Sequence, residues 1–120
     1  MNKDFDSWND EKKRIDEREV WYTKLWINIG NEENGKREFR RPVMIIKRIW
    51  NMYLILPLTT KGKDTKFYYE FPALVANQKS WWILSQIKVI DKKRMIDKID
   101  IITDFEFHKI KKHLKSLLGL

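Results

Sequence analysis

Two adjacent arginines, Arg40 and Arg41, stand directly before the apolar run PVMIIK at residues 42–47. A guanidinium stays charged at all ordinary pH values and presents a planar fork of N–H donors that matches a phosphate or a carboxylate. Held at the rim of a rigid sheet, these side chains would bind an anionic group. The alternative is a solvated loop without a ligand, and the residue types alone leave both interpretations open.

The remaining residue inventory excludes several kinds of catalytic site. The chain has no cysteine, so thiol nucleophiles, disulfides and thiolate metal sites are absent. His108 and His113 are five residues apart on a predicted helix, about 140° around its axis, and would not converge on one ligand. No HExxH, GxSxG or glycine-rich phosphate loop occurs, and the carboxylates form no compact metal-ligand pattern. We expect no metal and no cofactor, so any catalysis would use Arg, Thr, Ser, Gln and carboxylate groups.

The net charge of +8 is unevenly distributed. Residues 1–19 hold five Lys or Arg against seven Asp or Glu, which leaves +10 on residues 20–120. A small basic domain attracts polyanions, so the charge favours a nucleic-acid partner. The N-terminus lacks the apolar run of a secretory signal, and no apolar run reaches the roughly 18 residues of a membrane span. We therefore expect a cytoplasmic protein without a membrane partner.

A chain of 120 residues that is 42% hydrophobic predicts one domain over residues 1–120. Residues 1–18 predict an accessory N-terminal helix, and residues 19–120 a β-rich body that ends in a helix. Short apolar runs predict five or six strands and a small barrel; they are EVWYTKLW, PVMIIK, NMYLILPL, FYYEF, WWILSQ and IKVID. Residues 27–39, with two glycines and many polar residues, predict a long loop, and TTKGKDTK predicts a second.

The C-terminal segment changes to a helical period. Thr103 and Glu106 form the pattern of a capping box. Behind them, one predicted face carries Phe107, Ile110, Leu114, Leu117 and Leu118. The segment KKRMIDK before it predicts a further helical turn. The expected fold class is mainly β with helices.

Four blocks follow one another from Val20 onward: VWYTKLWINIGNEENG, RRPVMII, LPLTT and LSQIKVIDKKRM. Their combination of G-x-E-x-x-G, R-P-V, P-L-T-T and S-Q-I-x-x-I-D, in this order, resembles the MazF/PemK family of toxin endoribonucleases. The resemblance implies an SH3-like β-barrel with a C-terminal helix, usually a homodimer. It also implies metal-free cleavage of single-stranded RNA and neutralisation by a cognate antitoxin.

Carried over by motif, the resemblance implies that Arg41 of R-P-V and Thr59 of the P-x-T block are catalytic. Cleavage without a metal requires a 2′-hydroxyl to attack phosphorus in line while the protein stabilises charge on the phosphoryl oxygens. Arg41 would bind those oxygens, and Thr59 would donate or relay a hydrogen bond. Glu32 of the G-x-E block would orient Arg41 or act as the base, and both roles stay open.

The chain departs from some PemK-type members, which carry a histidine in the G-x-E block and an arginine and an aspartate before the glutamine. Here these places hold Asn31, Ile83 and Ser85. The mechanism that uses histidine, arginine and aspartate therefore does not transfer, and the identity of the general base stays open.

The resemblance further implies a basic RNA groove between two protomers, built from the loops after the first and third strands. The candidate RNA-binding residues are Asn31, Asn34, Lys36, Arg37, Arg40, Thr60, Lys61 and Gln86. For the loop residues the alternative is a solvated surface, and for Gln86 it is a hydrogen bond to a buried backbone group. Trp81 and Trp82 alternate across a strand, so at least one is expected in the core; an exposed one would stack on a base or contact a second subunit.

Two functions remain as hypotheses. The first is a ribonuclease toxin whose antitoxin lays an acidic, partly disordered segment across the basic groove. The second is a catalytically inactive barrel that binds RNA or a protein partner through the same surface. The presence of both Arg41 and Thr59 favours the enzyme.

Overall fold

The computed structural model describes residues 14–28, 36–72 and 77–120, with the backbone alone for residues 26–28 and 36–39. Most of the predicted N-terminal helix lies outside the described residues. Its last part, residues 14–18, is described and forms no helix. Arg18 has a positive φ of 73°, donates its N–H to the Ile45 carbonyl and accepts from the Ile102 N–H. These bonds attach the segment to the body of the protein.

Within the described residues the chain forms β-strands, two 3-10 turns and one α-helix. The strands are β1 (Glu19–Asn28), β2 (Lys36–Ile49), β3 (Met52–Thr59), β4 (Tyr68–Glu70), β5 (Trp81–Ile83), β6 (Lys88–Asp91) and β7 (Met95–Ile101). The 3-10 turns are Leu84–Gln86 and Lys92–Arg94, and the helix is α1 (Asp104–Leu118). The fold class is confirmed as mainly β with a C-terminal helix.

All strand pairs are antiparallel, and β3 is the branch point of the sheet. Strands β6, β3, β2, β1 and β7 are neighbours in this order, while the other end of β3 pairs with β5, which pairs with β4. The 3-10 turn Lys92–Arg94 joins β6 to β7 along the chain, but no ladder between these strands is found in the described residues. Over the described residues, the predicted small barrel is therefore an open sheet.

Residues 43–46 of β2 are buried on both faces, which explains the continuous apolar run of this part of the strand. Side chains alternate along a strand, so Val43 and Ile45 face one side and Met44 and Ile46 the other. We call the side covered by α1 the helix face; its core is Val20, Met44, Ile46, Leu56, Leu58, Phe71, Trp82, Leu84, Ile102, Phe107, Ile110 and Leu114. We call the other side the opposite face; its cluster is Ile15, Trp21, Leu25, Val43, Ile45, Tyr53, Ile55, Ile90 and Met95.

The predicted long loop at residues 27–39 is wrong at both ends. The ladder between β1 and β2 continues to Asn28 opposite Lys36, so residues 27–28 and 36–39 belong to strands. Backbone pairing in a two-stranded hairpin does not require an apolar pattern, which is why the polar sequence concealed it. The connection between the two strands is thus residues 29–35, outside the described part.

The helix follows its predicted signals closely. The Thr103 hydroxyl oxygen accepts from the Glu106 N–H at 3.2 Å, which caps the first turn, and Gly119 ends the helix with a left-handed φ of 75°. Phe107, Ile110 and Leu114 are buried as predicted. Leu118 is 50% exposed, so the predicted apolar face was too wide.

The prediction of a helical turn over the segment KKRMIDK is correct only for its first three residues. Lys92–Arg94 forms a 3-10 turn, and the chain then enters β7 at Met95. The ladder between β1 and β7 shifts register twice, passing over Ile96 and Ile99. These bulges break the two-residue alternation that would have identified β7 in the sequence.

Glu19, only 5% exposed, joins three parts of the chain. Its Oε1 accepts from the Asp16 N–H and from Trp21 Nε1, each at 2.9 Å, and its Oε2 lies 2.9 Å from Lys98 Nζ of β7. Burial alone would raise the pKa of this carboxyl, but the hydrogen bonds from Asp16 and Trp21 and the bond and charge of Lys98 lower it below its usual value. The carboxylate therefore stabilises the fold in its charged form.

We predict that Glu19→Gln lowers the free energy of unfolding at neutral pH by roughly 1–3 kcal/mol, because it weakens bonds to buried donors. A depressed pKa gives stability that is present above the unfolded value of 4.5 and lost as the pH falls through the lower folded value. The difference between wild type and variant should therefore shrink in acid. Urea unfolding at several pH values, with exposed Glu17→Gln as the control, measures it; equal stability of the two variants at every pH would contradict the assignment.

Candidate functional site

Arg41 lies near the middle of β2, directly opposite Thr23 of β1. Alternation from Val43 places its side chain on the opposite face, where it is half-buried. Thr23 is fully buried and donates its hydroxyl to the Arg41 carbonyl at 3.0 Å. The backbone that carries Arg41 is thus fixed from the neighbouring strand as well as by the ladder.

Thr59 is the last residue of β3 and is also half-buried. The ladder between β2 and β3 ends at Val43 opposite Pro57, and continuing the same register by two residues places Arg41 opposite Thr59. The Thr59 hydroxyl oxygen accepts from the Lys61 N–H at 3.1 Å, which leaves its hydrogen to be donated elsewhere. The two residues predicted to be catalytic therefore lie at one end of the sheet, on the same face.

A further cation, Lys88, is the first residue of β6 and lies opposite Ile55 of β3, on the same face. It is half-buried, and burial together with the positive charges of Arg41 and Arg94 lowers its pKa. Arg94, in the 3-10 turn, donates Nη1 to the Lys24 carbonyl at 3.2 Å. We call Arg41, Lys88 and Arg94 the cation cluster. Among the described side chains, none of the three forms an ion pair with a carboxylate.

Trp81 lies opposite Thr59 on β5, so it borders the site from the other edge of β3. A Cβ added to Gly62 would lie 2.0 Å from Trp81 Cδ2, so the loop after β3 rests directly on the indole ring. Lys79 Nζ lies 5.6 Å from the centre of the ring and forms an ion pair with Glu70 at 2.7 Å. One surface of the ring is therefore already covered by the chain itself. Trp82 is fully buried, which confirms that one of the two tryptophans is core.

The other predicted residues are more scattered. Arg40 is exposed and alternates to the helix face, while Thr60 and Lys61 are exposed in the bend after β3. Gln86 is exposed at the end of a 3-10 turn. The predicted residues Asn31, Glu32 and Asn34 lie outside the described part of the chain, as do the side chains of Lys36 and Arg37.

Sequence reasoning missed Lys88 and Arg94. A signal for Lys88 was present, since it stands two residues before Ile90, which is buried on the opposite face. Alternation alone therefore predicts that Lys88 points to the same side as the core. Arg94 had no comparable signal, because its position depends on the 3-10 turn that brings it to the Lys24 carbonyl.

In residues 14–28, 36–72 and 77–120, no group of three or more His, Asp or Glu side chains could hold a metal ion. His108 and His113 are both exposed, and the His113 ring lies 4.9 Å from that of Tyr69. No helix in these residues is long and apolar enough to cross a membrane. Arg41, Thr59 and their neighbours carry the hydrogen-bond donors and positive charges described above.

Comparison with protein-family models gives a match over most of the chain. Residues 16–118 match the model of PemK-like, MazF-like toxins of type II toxin-antitoxin systems. None of the curated proteins compared with the chain matches it significantly.

Solved structures of similar fold cover nearly the whole chain. A MazE-MazF complex from Deinococcus radiodurans (Form-II) matches with a TM-score of 0.70 and 16% identity, over 90% of this chain and 99% of that one. An endoribonuclease in complex with its cognate antitoxin, from Mycobacterial species, matches with a TM-score of 0.68 and 17% identity, over 89% and 97%. The Mycobacterium tuberculosis toxin MazF-mt6 matches with a TM-score of 0.65 and 15% identity, over 86% and 98%. At these identities the likeness shows a common fold.

We predict that Gly62→Ala lowers the free energy of unfolding by about 1–3 kcal/mol, because the added methyl group overlaps the Trp81 ring and the loop must move. The effect should largely disappear in a Trp81→Leu background, where the ring is absent. A double-mutant cycle measured by urea unfolding tests this coupling. An equal loss in both backgrounds would show that the ring is not what Gly62 accommodates.

Proposed function

The chain belongs to the family of PemK-like, MazF-like toxins of type II toxin-antitoxin systems. On this premise we propose that it is a metal-independent, sequence-selective endoribonuclease that cleaves single-stranded RNA, including mRNA. The observation that carries the proposal is the register of β2 with β3, which brings half-buried Arg41 and Thr59 to the same face when it is continued two residues beyond Val43 and Pro57. Both are half-buried, so an RNA phosphate bound there would lose much of its contact with water, which strengthens hydrogen bonds to it.

In the proposed reaction, the ribose 2′-oxygen forms a bond to phosphorus and the bond from phosphorus to the 5′-oxygen breaks. The products carry a 2′,3′-cyclic phosphate and a 5′-hydroxyl. Arg41 binds the non-bridging oxygens through its planar fork as their negative charge rises. Thr59 donates a hydrogen bond from its hydroxyl to a phosphoryl oxygen or to the departing 5′-oxygen. The 5′-oxygen gains one proton as the 2′-oxygen loses one, so the step neither consumes nor releases a proton. Glu32 orients Arg41 or takes the 2′-hydroxyl proton.

We further propose that RNA approaches along the basic surface around these residues. The net charge of +10 on residues 20–120 supplies a long-range attraction for a polyanion. The RNA-binding residues in this proposal are Asn31, Asn34, Lys36, Arg37, Arg40, Thr60, Lys61 and Gln86. Of those whose side chains are described, Arg40, Thr60, Lys61 and Gln86 are exposed and thus accessible to a ligand.

Two protein partners belong to the same proposal. The similar structures from Deinococcus radiodurans and Mycobacterial species contain a toxin with its antitoxin. We propose that this chain, as a single domain over residues 1–120, forms a homodimer in the cytoplasm. We also propose that it binds a cognate antitoxin through an acidic segment. Carboxylates of that segment are the natural counter-charges for a basic surface.

We predict that the wild-type protein cuts single-stranded RNA, but not matched DNA, in excess chelator and leaves 5′-hydroxyl ends. Arg41→Ala should lower kcat/KM by about 100-fold to 1,000-fold, the usual cost of losing a group that stabilises transition-state charge. Lys47→Ala is the control, because it removes a positive charge from an exposed position of the same strand and should cost much less. RNA binding without cleavage by folded wild type would instead favour an inactive binding module.

A second prediction concerns the Thr59 hydroxyl. Thr59→Ser should retain most of kcat because it keeps the donor, whereas Thr59→Val should lower kcat by about 10-fold to 100-fold. The Val variant also removes the acceptor for the Lys61 N–H. Thr65→Val controls for this loss, because the Thr65 hydroxyl oxygen accepts from the Phe67 N–H in the same loop. If Thr65→Val lowers kcat as much as Thr59→Val, the effect comes from the loop rather than from the hydroxyl.

A further inference from the structure

The first two residues of β6, Lys88 and Val89, reverse the usual distribution of polar and apolar side chains. Val89 is 44% exposed, whereas Lys88 beside it is half-buried on the face that holds Ile55 and Ile90. A strand at a protein surface ordinarily exposes the lysine and buries the valine, because burying an ammonium costs hydration energy. The register of β6 with β3 prevents that here, since exchanging the two sides would also expose Ile90.

The neighbours of Lys88 make its position still less favourable. Arg41 of β2 and Lys88 of β6 lie on the same face, on two strands that both pair with β3. Burial and the positive charges of Arg41 and Arg94 lower the pKa of Lys88. By contrast, Lys98, a strand lysine with a buried partner, forms an ion pair with Glu19. Among the described side chains Lys88 has no such carboxylate. Three like charges thus converge where the described part of the chain supplies no compensating anion.

An external anion would relieve this repulsion. A phosphodiester carries a full negative charge, shared by two non-bridging oxygens. An ammonium can donate a hydrogen bond to one of these oxygens, whereas a planar guanidinium can donate to both. Arg94 already uses one N–H for the Lys24 carbonyl, so it contributes mainly its charge. Among the described residues the Lys88 ammonium has no hydrogen-bond acceptor, so within this part of the chain its N–H groups are open to a ligand.

We propose that Lys88 is a phosphate-contacting residue of the site, and that its ammonium and the Arg41 guanidinium bind the same stretch of RNA backbone. The inference rests on the proposed ribonuclease function, to which it adds a residue on a different strand. Lys88 lies on β6 and Arg41 on β2, and both strands pair with β3. The RNA backbone would therefore be bound by residues of two different strands. The ligand is the phosphodiester backbone, and the contact does not depend on base identity.

The test compares Lys88→Met, Lys88→Arg and the control Lys47→Met, which removes an exposed strand lysine of β2. Binding is measured by fluorescence anisotropy with an RNA that carries a 2′-deoxy sugar at the cleavage position, over a range of salt concentrations. Lys88→Met should weaken binding at least 10-fold and reduce the salt slope by about 0.7, the loss of one phosphate contact on a single strand. Lys88→Arg should restore most of the binding, and Lys47→Met should stay within about threefold of wild type.

Two further readouts separate binding from folding and from catalysis. Lys88→Met should be at least as stable to urea as wild type, because it removes repulsion within the cation cluster, although it binds RNA less well. In dimethylated protein, the lysine NMR signal lost in Lys88→Arg should titrate at higher pH once the uncleavable RNA is bound. If wild type binds RNA without cutting it, the function as a ribonuclease fails and the binding comparison still decides the role of Lys88. Equal binding by Lys88→Met and Lys47→Met, or no binding by wild type, would overturn the inference.

Discussion

The alternation of side chains along β2 is the constraint on which the rest of the structure depends. Val43 and Ile45 fill the cluster on the opposite face, while Met44 and Ile46 join the core beneath α1. A slip of one residue would exchange these two sets and disrupt both clusters at once. Arg41 stands two residues before Val43, so the same packing that holds the strand also determines the side on which its guanidinium lies.

The branching of β3 explains why the site draws on distant parts of the sequence. The first half of β3 pairs with β6 and brings Lys88 to the opposite face, whereas its last two residues pair with β5 and bring Trp81 beside Thr59. Gly62 then allows the following loop to rest on the Trp81 ring. Strand β3 therefore positions residues at both edges of the candidate site. Because these residues come from different strands, no single sequence motif contains all of them.

Features encoded by neighbouring residues could be predicted from the sequence. The capping of α1 by Thr103, the burial of one of the two adjacent tryptophans and the strand around Val43 depend on local patterns, and the structure has them. The open sheet, the extension of β1 and β2 and the inward position of Lys88 depend on which strands become neighbours. That choice is made by tertiary pairing, so short apolar runs alone do not reveal it. The roles of Arg41 and Thr59 came from a family resemblance, which the match over residues 16–118 supports at the level of the family.

The two faces of the sheet differ in the charged side chains that border their cores. The helix face is closed by α1 through Phe107, Ile110 and Leu114, and its core contains no charged residue among those described. The opposite face is apolar around Ile45 and Ile55 but ends in the cation cluster, where further apolar side chains would extend the core and stabilise the fold. Keeping half-buried cations at that position costs stability, because like charges repel one another. The proposed phosphate contact would lower this cost by adding a negative charge beside the three cations.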